Sequence, residues 1–326
     1  MTTCSFSRQK AWPLNGLNAV EEWTDRRIKG ECSKPYRLYE QELKQHYLSY
    51  FDQNPKLRCP HQAHSALSIA AALPPGSAQL QELIPRNAIH PYARSAKSSQ
   101  MLALAILGAS AMADPSHEWL WKAANLPRGL GAQNAGGRVP FMFERQLAPS
   151  DLNETPHTTQ IDYAVDAPSC FVAIECKWSE QGLGGCSCLP NHEGNPMPGG
   201  FCSQRVVERP EYWQMASDFF GLSAERLPLL PCQISPLYQA VRNVAAARCL
   251  AGSTRPFAFI LLFDNQNPYF RATGEWPGWP ALLENRLRGH EARGLYFRAL
   301  AWQDIINELP LDPGVRVWAR EKHRLE

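Results

Sequence analysis

The chain has 326 residues, a formal net charge of +2 and 44% hydrophobic residues, which is enough for one large or two medium domains with a substantial core. The weak net charge neither indicates nor excludes a nucleic-acid binder, because a cleft can be basic by itself. The chain contains no stretch of about 18 apolar residues and no apolar signal segment, so we expect a cytoplasmic protein with no membrane contact.

The beginning of the chain carries a helical pattern and no domain signature that we can name. Residues 40–51 alternate apolar and polar positions as an amphipathic helix does. We therefore expect residues 1–94 to form a mainly helical extension. Residues 95–326 are expected to form the main domain.

A short helix and three strands are predicted next. Ser98 can cap a helix that runs to about Ala113, because serine side chains accept hydrogen bonds from the first free N–H groups. Asp114 and Pro115 then end the helix. Three strands follow in the prediction, over residues 139–147, 160–166 and 171–178.

The second half of the chain is predicted to continue the sheet. A helix begins near Pro236, since proline suits a first helical turn, and ends at about Arg248. Residues 257–263 are all apolar and predict a central strand, and residues 295–301 predict another before a helix over 302–309. Helical connections between strands favour an α/β (α+β) fold with a mixed sheet flanked by helices. The basic C-terminal residues are expected to form a solvated tail, namely Arg316, Arg320, Lys322 and Arg324.

The most chemically specific stretch lies between residues 159 and 180. Its first predicted strand carries Asp162, and its second carries Glu175, Cys176 and Lys177. Because side chains alternate between the faces of a strand, Glu175 and Lys177 share one face. An antiparallel hairpin brings Asp162 beside Glu175. Two carboxylates with a lysine close by are what a divalent-metal nuclease needs.

The carboxylates of Asp162 and Glu175 suit a hard cation such as Mg²⁺, and the backbone carbonyl of Cys176 is a further candidate ligand. A bound Mg²⁺ polarises a phosphoryl oxygen and lowers the pKa of water. Lys177 is placed to orient that water, to take its proton or to stabilise charge on the phosphate. The alternative is an ordinary Glu–Lys pair on a solvated strand face, since E-x-K alone is common. Glu180 is expected to be a solvated loop residue.

The pattern resembles the PD-(D/E)XK nuclease superfamily, with Ile161 and Asp162 as the PD element and Glu175 to Lys177 as (D/E)XK. Ile161 stands where that element has proline. The resemblance spans about residues 95–250 and implies an αβββαβ core and Mg²⁺-dependent hydrolysis of DNA phosphodiester bonds, with one or two ions. Three sequence segments are similar to those of a group of bacterial restriction endonucleases: residues 98–100, 151–163 and 173–180.

Two more parts of the chain match that superfamily, a strand glutamate and one face of a later helix. Glu144 points away from Phe143 in the strand before the hairpin, and it matches the extra acidic residue that many members place near the metal. On the later helix, Gln239, Arg242 and Asn243 share one face. This face resembles the fourth motif of RecB-like relatives, and the arginine is suited to grip the scissile phosphate. The simpler alternatives are a surface glutamate and a solvated helix face.

The ten cysteines are numerous for a cytosolic chain. A loop rich in glycine and proline holds Cys186, Cys188, His192 and Cys202, a spacing that allows a structural zinc site, although C-x-C is less typical of zinc than C-x₂-C. Replacing His192 by Cys232 gives four cysteines, as in iron–sulfur nucleases of the RecB-like branch. We favour reduced thiols, so zinc is not among the expected cofactors. A second, weaker group of potential ligands is Cys32, Cys59, His61 and His64.

The function that fits these features best is that of a Mg²⁺-dependent DNA endonuclease of restriction type. A repair or recombination nuclease of RecB-like type is an alternative within the same chemistry. A catalytically inactive nucleic-acid-binding protein with the same fold is an alternative from another class, and the intact D…E-x-K pattern argues against it. DNA is the expected partner, and a homodimer is compatible with the sequence.

Overall fold

A computed structural model describes residues 23, 25–131, 137–152, 154, 158–184, 210–222 and 234–325. The helices in these ranges are α1 (Asp25–Gln53), α2 (Ile69–Ala72), α3 (Ser99–Ala113), α4 (Glu118–Ala123), α5 (Pro210–Phe220), α6 (Tyr238–Ala251), α7 (Trp279–Leu287), α8 (Trp302–Ile305) and α9 (Pro313–His323). The strands are β1 (Arg58–Cys59), β2 (Gln62–Ala66), β3 (Phe141–Gln146), β4 (Gln160–Ala167), β5 (Cys170–Cys176), β6 (Phe257–Phe263) and β7 (Leu295–Ala301). Across the described ranges no helix has both the length and the apolar character needed to cross a bilayer.

The main sheet has five strands in the order β3-β4-β5-β6-β7. The first three strands pair antiparallel, and β5, β6 and β7 run parallel to one another. Helix α3, strands β3 to β5, helix α6 and strand β6 follow one another along the chain. This is the αβββαβ order that the family resemblance implies, and the mixed sheet is flanked by helices.

The middle strands are apolar along their length because both of their faces are covered. Every residue of β5 and of β6 is buried. Helix α3 packs on one face, where Gly108 approaches the ring of Phe143 closely enough that an added Cβ would lie 3.6 Å from it. Helix α6 packs on the opposite face, where Asn243 reaches the side chain of Glu175. A sheet covered in this way needs continuous apolar runs rather than alternation.

Several predicted boundaries are confirmed closely. The Ser98 side chain accepts a hydrogen bond from the Met101 N–H at 3.3 Å and so caps α3. Pro236 lies in a 3₁₀ turn just before α6, so the predicted helix begins two residues later than expected. The predicted helix over 302–309 is shorter, because α8 ends at Ile305.

The N-terminal helix α1 is confirmed and packs on the main sheet region. The hydroxyl of Tyr39 lies 2.7 Å from Asp264 Oδ2 and 3.2 Å from the carbonyl oxygen of Trp178. Between α1 and residue 94 the chain contains the β1–β2 hairpin, helix α2 and short 3₁₀ helices. The boundary at residue 94 stays a prediction.

The basic C-terminal stretch is not a solvated tail, because it forms helix α9 and inserts two of its polar side chains into the core. Lys322 and His323 are each 2% exposed. Lys322 Nζ donates to the carbonyl oxygen of Ala72 at 2.6 Å and lies 4.8 Å from the ring centre of Trp318. The pattern of apolar residues inside this basic run gives α9 its buried face.

We predict that Lys322→Met removes a pH-dependent penalty on folding. Burial lowers the pKa of Lys322 to about 7, below its value in an unfolded chain, so the folded state disfavours the charged amine. The stability of the natural protein should therefore rise relative to the variant as pH increases from about 7 to about 10. Each pKa unit corresponds to ~1.4 kcal/mol.

Urea unfolding at about pH 6 and about pH 9 measures this difference. Lys56→Met, which removes an exposed lysine, is the control and should shift stability equally at both pH values. An equal effect of Lys322→Met at the two pH values would contradict the assignment.

Candidate active site

Three carboxylate side chains stand side by side on neighbouring strands. The pairs Phe143–Tyr163 and Arg145–Ile161 flank Glu144 and Asp162, and the pair Tyr163–Ile174 adjoins Asp162 and Glu175, so the three carboxylates fall at adjacent positions of neighbouring strands. Residues directly opposite each other in antiparallel strands point to the same face. The sheet thus builds a row of carboxylates, which we call the carboxylate row: Glu144, Asp162 and Glu175.

Glu175 is the most enclosed member of the row, with 1% exposure. Its Oε1 lies 2.7 Å from Lys177 Nζ, and its Oε2 accepts a hydrogen bond from Asn243 Nδ2 at 2.5 Å. Lys177 Nζ also donates to Gln239 Oε1 at 2.8 Å. The predicted face shared by Glu175 and Lys177 is confirmed. The alternative of a solvated Glu–Lys pair is wrong, because both side chains are buried.

Asp162 is partly accessible and turned towards β5. Its Oδ2 accepts a hydrogen bond from the backbone N–H of Cys176 at 2.7 Å. Burial raises the pKa of Asp162 well above its usual range, and the nearby Glu175 and Glu144 raise it further. The hydrogen bond from Cys176 opposes this shift without cancelling it. Like charges held this close favour the neutral form unless a cation joins them.

Glu144 adopts an unusual backbone conformation, with φ at 51°. The left-handed region costs a non-glycine residue of order 1 kcal/mol, and such outliers concentrate at functional sites. Gln100 Nε2 donates to Glu144 Oε1 at 2.6 Å. Burial raises the pKa of Glu144 to about 7, Gln100 opposes the shift and Glu175 adds to it. The carboxyl group is therefore held at the edge of the row by a specific contact.

Lys177 stays protonated in this environment. Burial by itself lowers the pKa of its amine, but Glu175, Glu180 and Asp162 outweigh burial and raise the pKa above its ordinary value. A lysine ammonium has three N–H donors and no acceptor. Gln239 accepts one of them and Glu175 Oε1 lies at ion-pair distance, so the group is a positioned donor beside the carboxylates.

The carboxylate row suits a hard cation, because the atoms that its side chains can offer to a metal are all oxygens. As the side chains stand, however, no three histidine, cysteine, aspartate or glutamate groups in the described residues are arranged to hold a metal ion. Glu175 is engaged by Lys177 and Asn243. The buried thiol of Cys176 lies on the other face of β5, so only its main chain adjoins the row. Metal binding here requires Glu175 to loosen its contact with Lys177.

Arg242 lies away from the carboxylate row, in a second polar cluster. Its Nη2 is 3.2 Å from Glu154 Oε1, and its Nε donates to Thr159 Oγ1 at 3.0 Å. Glu154 is 1% exposed and also accepts hydrogen bonds from Thr159 and from the Tyr212 hydroxyl. Gln239 is thus brought to the candidate site, whereas Arg242 is occupied by a buried ion pair.

Some contacts of the site were not identified from the sequence. Asn243 was recognised on the right helix face but was not assigned a role, and Gln100 is far away in sequence. The expectation of a solvated Glu180 is wrong, because Ser99 Oγ donates to its Oε1 at 2.5 Å and the Trp178 N–H to its Oε2 at 2.6 Å. A residue pattern cannot show the contacts of Asn243, Gln100 and Ser99, since each joins a helix to a segment far away in the sequence.

The cysteine predictions have separate outcomes. The proposed zinc ligands Cys186, Cys188, His192 and Cys202, and the alternative Cys232, lie outside the described residues. The weaker group at Cys32, Cys59, His61 and His64 is described, and it forms no metal cluster. Cys170 and Cys176 are buried free thiols, and Cys249 is half-buried.

We predict that Arg242→Met lowers the free energy of unfolding by up to ~3 kcal/mol, because it leaves the buried carboxylate of Glu154 without its cation. Urea unfolding measures the change. Arg288→Met removes an exposed pair with Glu284 and is the control, with an expected loss below ~1 kcal/mol. Unchanged stability together with slower DNA cleavage would instead place Arg242 at the phosphate.

Comparison with known proteins identifies the family. Residues 73–321 match the model of the family described as "Restriction Endonuclease associating with ARP". No curated protein and no solved structure matches the chain. Because the match covers well over half of its length, the chain belongs to this family of restriction endonucleases.

Proposed function

We propose that this protein is a Mg²⁺-dependent endonuclease that hydrolyses phosphodiester bonds of DNA in a restriction system. The observation that carries the proposal is the carboxylate row with Lys177 at its end, built on three adjacent strands of a nuclease-like sheet. A PD-(D/E)XK assignment accounts for every member of this arrangement. The family match supports the nuclease class and DNA as its substrate.

Asp162, Glu175 and the main-chain carbonyl of Cys176 are the groups that would hold Mg²⁺. When bound, the ion supplies Lewis-acid polarisation of the phosphate and a more acidic water. Glu144 extends the row on the far side of Asp162 and offers a ligand for a second ion. Glu175 lies near the end of β5, and the partly exposed Asp162 and Glu144 are the members of the row that a phosphate can approach.

Lys177 and Gln239 complete the chemistry from the protein side. The ammonium of Lys177 has a donor left after its contacts with Glu175 and Gln239, and this donor can orient an attacking water or the phosphate. Gln239 holds the ammonium in place from helix α6. Because Lys177 is fully protonated, we assign it charge stabilisation and water orientation rather than proton removal.

The proposal includes a cytoplasmic homodimer, because two sites of this kind can cut both strands of a duplex. Closed two-fold assemblies are the commonest oligomers of soluble proteins. Light scattering of the purified protein checks this part: a monomeric mass with and without DNA would contradict it.

We predict that Asp162→Asn and Glu175→Gln each abolish cleavage of genomic DNA in Mg²⁺, because each removes an anionic ligand while keeping the shape of the side chain. Asp166→Asn is the matched control, since it changes an exposed carboxylate of the same strand that pairs with Arg255. Gel analysis of the products and circular dichroism of each variant separate loss of activity from loss of fold. Cleavage by either variant at the natural rate would refute the metal site.

We predict that Lys177→Met slows cleavage by at least ~10²-fold and changes DNA affinity far less, the range typical of a positioned group in proton transfer or charge stabilisation. Single-turnover cleavage measures the rate, and fluorescence anisotropy with a chelator present measures binding. Gln239→Glu, which keeps an acceptor for the ammonium, should retain more activity than Lys177→Met. A normal cleavage rate in the Lys177 variant would show that Lys177 serves only as a structural partner of Glu175.

A further inference from the structure

A cleft of about 680 Å³ opens on the same edge of the sheet as the carboxylate row. Helix α1, the segment after β6 and helices α8 and α9 form its walls. The residues that line it are His46, Asn265, Gln266, Gln303, Asp304, Arg320 and Arg324. The lining is polar throughout, so the cleft suits a charged, hydrogen-bonding ligand rather than an apolar one.

Two arginines line the cleft, and the charge of Arg324 reaches Asp264, whose pKa burial raises and Arg324 lowers. Arg320 and Arg324 make no side-chain hydrogen bond or ion pair with the described part of the chain. Arg320 lies in the last turn of α9, Arg324 is its C-cap residue with φ at 56°, and both line the cleft. Two like charges that share a cleft repel, and an anion between them relieves the repulsion. Asp304 is the one carboxylate of the described lining, and it is exposed and makes no ion pair with either arginine.

The amides of the cleft offer further hydrogen bonds. The side chains of Asn265 and Gln266 make no hydrogen bond with the described residues. Gln303, in contrast, is held in place, because its Nε2 donates to Asp264 Oδ1 at 2.7 Å and its Oε1 accepts from the Asn265 N–H at 3.3 Å. Two guanidinium groups and two free amides are thus presented together on a fixed frame.

The cleft and Lys177 lie at the same edge of the sheet, the cleft on the side of α3 and Lys177 on the side of α6. Lys177 follows β5, Asn265 follows β6 and Gln303 follows β7, and these three strands are parallel neighbours. Their carboxyl ends therefore meet at one edge of the sheet, with ~4.8 Å between adjacent strands. Two strand spacings are roughly 10 Å, which corresponds to about three nucleotides along one DNA strand.

We propose that this cleft binds the phosphate backbone of the DNA that flanks the cleaved bond, with Arg320 and Arg324 as the phosphate ligands and Asn265 and Gln266 as hydrogen-bonding neighbours. The proposal rests on the proposed nuclease function. It assigns the cleft a positioning role: contacts with phosphates fix the register of the duplex and carry no sequence information of their own.

The test measures how the affinity for a short duplex of random sequence depends on salt, by fluorescence anisotropy with a chelator present. Each phosphate contact contributes a slope of ~0.9 in a plot of log affinity against log salt concentration. The double variant Arg320→Gln/Arg324→Gln should lower the slope by nearly 2. The control Arg288→Gln, an exposed arginine at the end of α7 and hence at the opposite edge of the sheet, should leave it unchanged.

The outcomes separate the two claims. If the natural protein binds duplex DNA and the double variant shows the same slope as Arg288→Gln, the cleft proposal is overturned while the nuclease function stands. If the double variant loses slope but cleaves at the natural rate when DNA is saturating, the positioning role is supported. A natural protein that neither binds nor cleaves duplex DNA overturns the nuclease function and the cleft proposal with it.

Discussion

The repulsion among three carboxylates held side by side is the constraint on which the rest of the site depends. Antiparallel pairing of β3, β4 and β5 brings Glu144, Asp162 and Glu175 to adjacent positions, where Glu175 is buried and the other two are partly exposed. Burial and mutual proximity raise the pKa of Asp162 and of Glu144, so the ionised row needs positive charge. Lys177 provides part of that charge. A divalent cation is the partner that would complete it.

The scaffold explains how such an unfavourable arrangement is maintained. The apolar strands β5 and β6 are buried on both faces, which fixes the register on which the row depends. Asn243 and Gln239 approach from α6, and Gln100 approaches Glu144 from α3, so helices on both sides of the sheet hold the polar groups. Helices α1 and α9 then close the carboxyl edge of the sheet, where they also shape the arginine-lined cleft. The same strands and helices therefore form the core and hold the polar residues of the site in place.

The sequence was most informative where local pattern and chemistry coincide. Alternation predicted the faces of β4 and β5 and placed Glu175 with Lys177, while a capping serine and a proline located α3 and α6. The pattern could not reveal the partner of Arg242, because Glu154 lies in an irregular segment 88 positions earlier. The pattern also led to the wrong prediction of a solvated C-terminal tail, because four basic residues are interspersed with the apolar residues that form the buried face of α9. Contacts between distant segments are decided by packing, which no local pattern encodes.

The most direct test of the central claim is a crystal structure with Mn²⁺ in place of Mg²⁺, read from the anomalous scattering of manganese. Both ions prefer oxygen ligands, so the substitution keeps the chemistry of the site. The account predicts an anomalous peak beside the carboxylates of Asp162 and Glu175, with Glu175 released from Lys177. A structure with no peak at the row and an intact Glu175–Lys177 pair would contradict the account.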